Sequence, residues 1–442
     1  MIEAAAGSAY WHGLHAARIS NGAGYMNRLL RAAVSGLLAV GAGASSAQGL
    51  SLADAIALVS REAPGLLART EQVEAARQAA MPAGALPDPK LLLGIDNLPV
   101  DGPDQYSFSR DFMTMQRIGL MQEFPGRAKR EARVAGAEGR IAVAEAQSRL
   151  TRLDAVRQTV MAWIARSTAE QQLAQIDALT AENRLFEAAV RARLSSGQGM
   201  ATDAVAARLE AALIEERRDV LSAQRVQAIA ALRQWIGSPA AELPLSGDAP
   251  DWTIDREVLV HRLEHHPEFA LLDAKGRMLD AEVAEARAGK RPDWSMEMAY
   301  QRRGPQFSNM VSLQVSVDLP VFAGSRQDPQ IAARRAERRA VDADREAEVR
   351  EHAQMLESDL TEYHRLRSAA DRQREVFLPL ADEKVALAMA DWRGGKISVM
   401  EVINARRERI DAGLRLIALE GERLQVAANL HYTYDKHAGE QP

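Results

Sequence analysis

Between Met310 and Leu319 apolar and polar residues alternate. Val311, Leu313, Val315, Val317 and Leu319 fall on one face, and Ser312, Gln314, Ser316 and Asp318 on the other. Trp294, Met296, Met298 and Tyr300 alternate with Ser295, Glu297 and Gln301, and Ile118, Leu120 and Phe124 oppose Arg117, Gly119 and Glu123. Leu91 to Asn97 is a shorter, more continuously apolar run. Period-two patterning predicts strands with one apolar face, placed at about 91–97, 116–123, 294–301 and 310–319. The remaining chain is rich in Ala, Leu, Glu and Arg, with carboxylates and arginines interleaved at helical spacing, which predicts long solvated helices.

The pattern occurs twice. Residues 51–237 and 255–434 each open with a short helical stretch ending at a proline, Pro64 or Pro267. An Ala-rich helix then runs to a second proline cluster, Pro87-Asp88-Pro89 or Arg291-Pro292-Asp293, and two strands follow. Phe124-Pro125-Gly126 and Leu319-Pro320-Val321 close the strand pairs, making Pro125, Gly126 and Pro320 the strand-to-helix turns. The spans after them, 127–195 and 326–393, read as single helices of roughly 100 Å at about 1.5 Å per residue. Both stop at one signal, at 196–203 and 394–401. Gly197 is followed by Thr202-Asp203 and then Ala207-Arg208, and Gly395 by Glu401 and then Ala405-Arg406, at identical spacing. Glycine permits the left-handed turn that ends a helix, and Ser398 with Glu401 makes a capping box for the next. The expected form is a tight helical hairpin, with residues 238–254 linking the two copies. Pro379 has no counterpart in the first long helix and is expected to bend the second.

Two one-sided strand pairs do not close on themselves. About ten residues suffice for a tilted membrane-crossing strand, and the smallest membrane barrels have about eight strands. Unpaired edges are excluded from lipid, so such a chain must oligomerise, and three copies would supply twelve strands. Composition sharpens this. The 442 residues carry 55 basic and 60 acidic side chains, a net charge of -5, and no basic block that would mark a nucleic-acid footprint. Aromatics are only 5%, as expected for helix packing. The absence of Cys removes disulfides, thiolate metal sites, Cys nucleophiles and a lipid-modified N-terminal Cys. Met26 to Arg31, then apolar Ala32 to Ala42 and small Ser45-Ser46-Ala47, read as a secretory signal peptide over 26–47. Residues 1–25 read as an upstream, non-native extension, and 435–442 as a polar tail.

This order of elements resembles the TolC-like outer-membrane efflux channel family over essentially Ser51 to Tyr434. Its most specific carriers are Gln122-Glu123-Phe124-Pro125-Gly126 and the paired tips. The stretch from Pro87-Asp88-Pro89 to Gly94-Ile95-Asp96-Asn97-Leu98-Pro99 is most similar to the cobalt-zinc-cadmium and copper-silver branch. The resemblance implies a mainly α protein with a small membrane β part: a homotrimer whose twelve-stranded β-barrel continues into an α-helical barrel crossing the periplasm. It implies a passive exit duct for heavy-metal cations, held in outer-membrane lipid and joined to a periplasmic adaptor and an inner-membrane RND-type pump. Gly197, Thr202, Asp203, Gly395, Ser398 and Glu401 would then face the adaptor. Asp382, Glu383 and Asp391 are candidate gate or pore acids, although none matches the family's spacing. A multidrug or type I secretion channel is the alternative within the class. A periplasmic coiled-coil adaptor or scaffold is the alternative outside it, disfavoured because it needs one hairpin and no duplicated strand pair.

No catalytic, cofactor or metal site is expected. Gly394-Gly395-Lys396 lacks phosphate-loop spacing, and no nucleophile motif organises the available Ser, His and Asp. His261, His265 and His266 read as surface histidines, and His431 and His437 as part of the polar C-terminus. Met113, Met115, Met121, Met296 and Met298 read as strand-face packing or lipid contacts rather than soft-metal ligands.

Overall fold

The structure, a computed structural model, describes residues 49–434, which fall in one compact unit. The signal-peptide, upstream-extension and polar-tail readings, and His437, lie outside the described residues. Helix α1 (Leu52–Glu62) opens on a capping box in which Ser51 Oγ accepts from Asp54 N–H and the Asp54 carboxylate returns to Ser51. Pro64 then starts α2 (Pro64–Ala80) at its first position, where a missing N–H costs nothing. Strands β1 (Lys90–Asp96) and β2 (Met115–Phe124) lead into α3 (Arg127–Ser195), an uninterrupted helix of 69 residues. The chain returns through α4 (Ala201–Ile236) and the single turn α5 (Ser238–Ala241).

The second half repeats this order. Helices α6 (Arg256–Leu263) and α7 (Pro267–Ala288), again with proline at the first position, precede β3 (Trp294–Arg302) and β4 (Met310–Val317). The second long helix differs from its expected form. It begins at Gln327 and divides into α8 (Gln327–Arg372), a π-turn at Gln373–Phe377, and α9 (Leu378–Arg393). Pro379 supplies the reason. Its ring cannot sit against the carbonyl four residues earlier and it has no N–H to give, so the backbone widens by one residue just before it. Helix α10 (Val399–Tyr434) completes the chain. Two boundaries also shift: β4 ends at Val317 rather than Leu319, and Met113 sits in the loop before β2 rather than on a strand face.

Helix α3 is the spine. Helices α2 and α7 pack beside it, α4 and α10 pair with it as well, and α8 lies against α7. The contact with α7 is close: a Cβ on Gly139 would lie 2.7 Å from the Met278 backbone, so only glycine fits. The largest core joins α1, the middle of α3, the ends of α4 and α10, and part of α8. Trp163, fully buried there, donates from Nε1 to the Leu50 carbonyl at 3.2 Å. Arg166 is buried with it, spending its donors on the Ala241 and Leu243 carbonyls at 2.9 and 2.7 Å. Ala241 and Trp252 bring the segment between the two repeats into the same core.

Candidate functional site

The four strands form one antiparallel sheet in the order β1-β2-β3-β4, joining the strand pair of each repeat. Register sets its faces. Leu93 lies opposite Ile118, Ile118 opposite Tyr300, and Tyr300 opposite Val311; Leu120, Met298 and Leu313 form the next row. This continuous apolar face is open: Leu93, Leu120, Met298 and Leu313 are 72, 54, 59 and 67% exposed. The opposite face is polar and internally paired. Arg117 bridges Glu297 and, at 3.9 Å, Asp96; Lys90 pairs with Glu123; Gln301 donates to Ser312 at 3.2 Å. Met115 and Met121 belong to this polar face, Met296 and Met298 to the apolar one. An exposed one-sided apolar surface of this extent marks contact with lipid or protein.

At one end of the sheet Phe124 stacks on Trp294 with centroids 4.2 Å apart. Here Asp293 joins the two strand-to-helix exits. Its carboxylate accepts from Gly126 N–H at 2.7 Å and from Lys129 at 2.6 Å, and its carbonyl accepts from Asp318 N–H at 2.9 Å. Burial works against this carboxylate, but the Lys129 and Gly126 hydrogen bonds and the Lys129 charge outweigh it, so its pKa falls below the ordinary value. Pro125 and Gly126 lead directly into α3, whereas Pro320 is followed by further turns before α8 starts.

At the far end of the long helices the two tips are built alike. Gly197 and Gly395 have φ of 74° and 73°, in the left-handed region. In each tip the next N–H reaches back to a helix carbonyl, Gln198 to Arg193 at 3.0 Å and Lys396 to Asp391 at 2.9 Å, which closes the helix end. The Asp203 carboxylate accepts from Met200 N–H at 3.1 Å, and Glu401 from Ser398 N–H at 2.8 Å, while Ser398 Oγ accepts from Glu401 N–H. Each acid thus caps the returning helix of its own tip. Thr202 is exposed beside Asp203.

A local core holds the tips side by side: Phe186 and Val190 of α3, Ala207 of α4, Trp392 of α9, and Val399, Val402 and Ile403 of α10. Arg193 lies over the Trp392 ring at 4.9 Å and Arg406 over Phe186 at 4.7 Å. Burial lowers the Arg406 pKa, opposed by Glu182 at 3.9 Å. The candidate gate acids are not brought together as a group. Asp382 pairs with Arg409 at 3.4 Å, Asp391 with Lys396 at 3.3 Å within the tip turn, and Glu383 is exposed. Two histidine readings are overturned: His431 lies within α10, half-buried beside Trp252, rather than in a polar tail, and His266 is not a surface residue. His261 and His265 are exposed, but His266 is buried because it caps the first turn of α7 and its ring lies against Phe269 and His352. Its partner His352, on another helix, carries no signal in the local pattern.

Duplicated hairpins, one shared sheet and paired tips are the architecture of outer-membrane efflux channels, passive ducts rather than enzymes. The match is at the level of sequence as well: residues 258–432 match the outer membrane efflux protein family. It is similar to the cobalt-zinc-cadmium resistance protein CzcC of Cupriavidus metallidurans, 25% identical over 391 residues that cover 86% of this chain and 89% of that protein. Among solved structures, a membrane protein from Pseudomonas aeruginosa superimposes with a TM-score of 0.77 at 17% identity, over 88% of this chain and 91% of that one. CusC superimposes with a TM-score of 0.74 at 16% identity, over 87% and 91% of the two chains. VceC from Vibrio cholerae does so at 0.72 and 18% identity, over 87% and 95%.

Proposed function

We propose that this protein is the outer-membrane duct of a tripartite exporter of heavy-metal cations, working as a homotrimer in an outer membrane of a Gram-negative cell. The observation that carries the duct is the sheet: four strands, one exposed apolar face, and two open edges at β1 and β4. No helix among the described residues is long and apolar enough to cross a membrane, so contact with lipid falls to these strands. Open edges have no partner in hydrocarbon. Pairing β1 of one copy with β4 of the next satisfies both and closes a barrel of three sheets, twelve strands in all. The apolar face then meets lipid, and the Arg117, Glu297 and Gln301 face lines the lumen. The long helices continue the tube into the periplasm, and the tips at Gly197–Asp203 and Gly395–Glu401 face a periplasmic adaptor that couples the duct to an RND-type pump. Selectivity is coarse, set by lumen charge and by opening at the tips.

Heavy metal as cargo is supported by the likeness to a cobalt-zinc-cadmium resistance protein along most of both chains. A deletion strain should grow poorly on zinc, cobalt, cadmium, copper or silver and recover on complementation. Sensitivity to drugs alone would overturn the cargo and leave the duct intact. Membrane fractionation tests the duct itself: a heat-dissociable trimer in the outer membrane is expected, and a soluble monomer would refute it.

A further inference from the structure

Where α7 begins beside α8, three side chains with metal-binding chemistry converge. His266, Glu268 and His352 each bring a donor atom to within 4.8 Å of the other two. His352 Nε2 lies 3.1 Å from Glu268 Oε2, and the two imidazole rings are 4.3 Å apart. Both histidines are only 5% exposed, whereas the Glu268 side chain is 34% exposed and opens the cluster to water on one side. His266 Nε2 is buried with no hydrogen-bond partner, an unusual expense for an imidazole in a core. From this geometry we infer that His266, Glu268 and His352 form a zinc-type divalent-cation site, with water in the fourth position, that ties α7 to α8.

The donor set is that of a three-ligand site, two imidazoles and a carboxylate with an open position. Tetrahedral coordination at about 2.0–2.1 Å places ligand atoms roughly 3.3 Å apart. The His352–Glu268 pair already has this spacing, and His266 closes the set by a small side-chain movement. An outer partner is also in place. Tyr434 Oη lies 3.5 Å from His352 Nδ1 and donates to the His352 carbonyl at 3.3 Å, which leaves Nε2 turned to the cluster. The second imidazole, His266, is held through its other ring nitrogen. Its Nδ1 now accepts from Glu268 N–H at 3.3 Å. Coordination through Nε2 shifts the ring proton from Nε2 to Nδ1 and gives up that long hydrogen bond. Arg157, whose charge reaches His266, is held by Asp154 at 2.6 Å and Asn429 at 3.1 Å.

The site does not depend on what the duct exports, because binding is read on the purified, detergent-solubilised full-length protein after chelator treatment. Titration with Co(II) alone should give a saturable visible absorption at one ion per chain, displaced by Zn(II). Glu268→Gln, at the half-exposed ligand, should abolish it, as should His352→Gln. Tyr434→Phe should weaken binding roughly 10-fold or more through the outer partner. A His261→Gln/His265→Gln variant, altering the neighbouring exposed pair, should bind as the wild type does. No saturable absorption in the wild-type protein, or loss with the His261/His265 variant but not with Glu268→Gln, would overturn the assignment, and neither outcome requires the buried-histidine variants to fold.

Discussion

The two repeats share their turn chemistry and differ in what surrounds it. Gly197 and Gly395 adopt the same left-handed φ within a degree, and the following acids cap the same position. Yet Arg208 of the first tip is exposed, whereas its counterpart Arg406 is buried against Phe186. Helix α3 runs without a break from Arg127 to Ser195, while its counterpart widens at Gln373–Phe377. A turn is set by the conformational needs of a few residues, and these survive duplication. Burial depends on which helices lie alongside, and each repeat has its own neighbours.

The largest expected contrast lies at the paired arginines. Arg406→Ala removes a buried guanidinium from the Phe186 ring and leaves a gap in the tip core, while Glu182 keeps Arg409 at 3.1 Å, so the loss of about 2 kcal/mol that is expected comes from packing. Arg208→Ala should stay within about 0.5 kcal/mol, as exposed substitutions do. Heat-dissociation midpoints of the assembled protein measure both, and equal losses would erase the distinction between the tips. Next comes the joint where the repeats meet. Asp293→Asn exchanges two charge-assisted contacts for neutral ones, at a cost of about 1–2 kcal/mol. Because the folded Asp293 pKa is depressed, its contribution is present above the unfolded value of about 3.9 and fades as pH falls through the folded value. The gap in midpoint between wild type and Asp293→Asn should therefore narrow in acid; a constant gap would remove the ion pair as its cause.

Smaller effects sharpen the likeness instead. Gly197→Ala and Gly395→Ala each place a side chain in left-handed backbone with open space around it, and each should cost roughly 1–2 kcal/mol. The two values should agree closely if the turn energy is local, and a large disparity would assign it to packing. Pro379→Ala should have the smallest effect on stability, since it removes a ring from an already widened turn. If the turn directs the second coil toward the channel axis, single-channel conductance in planar bilayers should change. Normal trimers with unchanged conductance would dismiss that role.

Strand faces and tip turns were legible because their signals are local. Alternation in Trp294–Tyr300 is enough to place Met298 beside Leu120 and Leu313 once the strands pair. The histidines show the opposite case. His261, His265 and His266 look alike in the chain, but only His266 caps α7, and its partner is supplied by α8. Pro379 announced a bend in the second long helix, and the structure answers it with a π-turn at Gln373–Phe377, whose flanking segments both pack against α10.

The order of elements, the one-sidedness of the sheet, the helix ends and the duplication are properties of the sequence alone. Each follows from side-chain period, proline and glycine conformations, or a cap within four residues. The tertiary structure decided which of two equivalent arginines is buried, that Asp293 pins both strand exits, and that His266, Glu268 and His352 meet. Those outcomes depend on distance between segments remote in the chain, which no local pattern encodes and only helix packing sets.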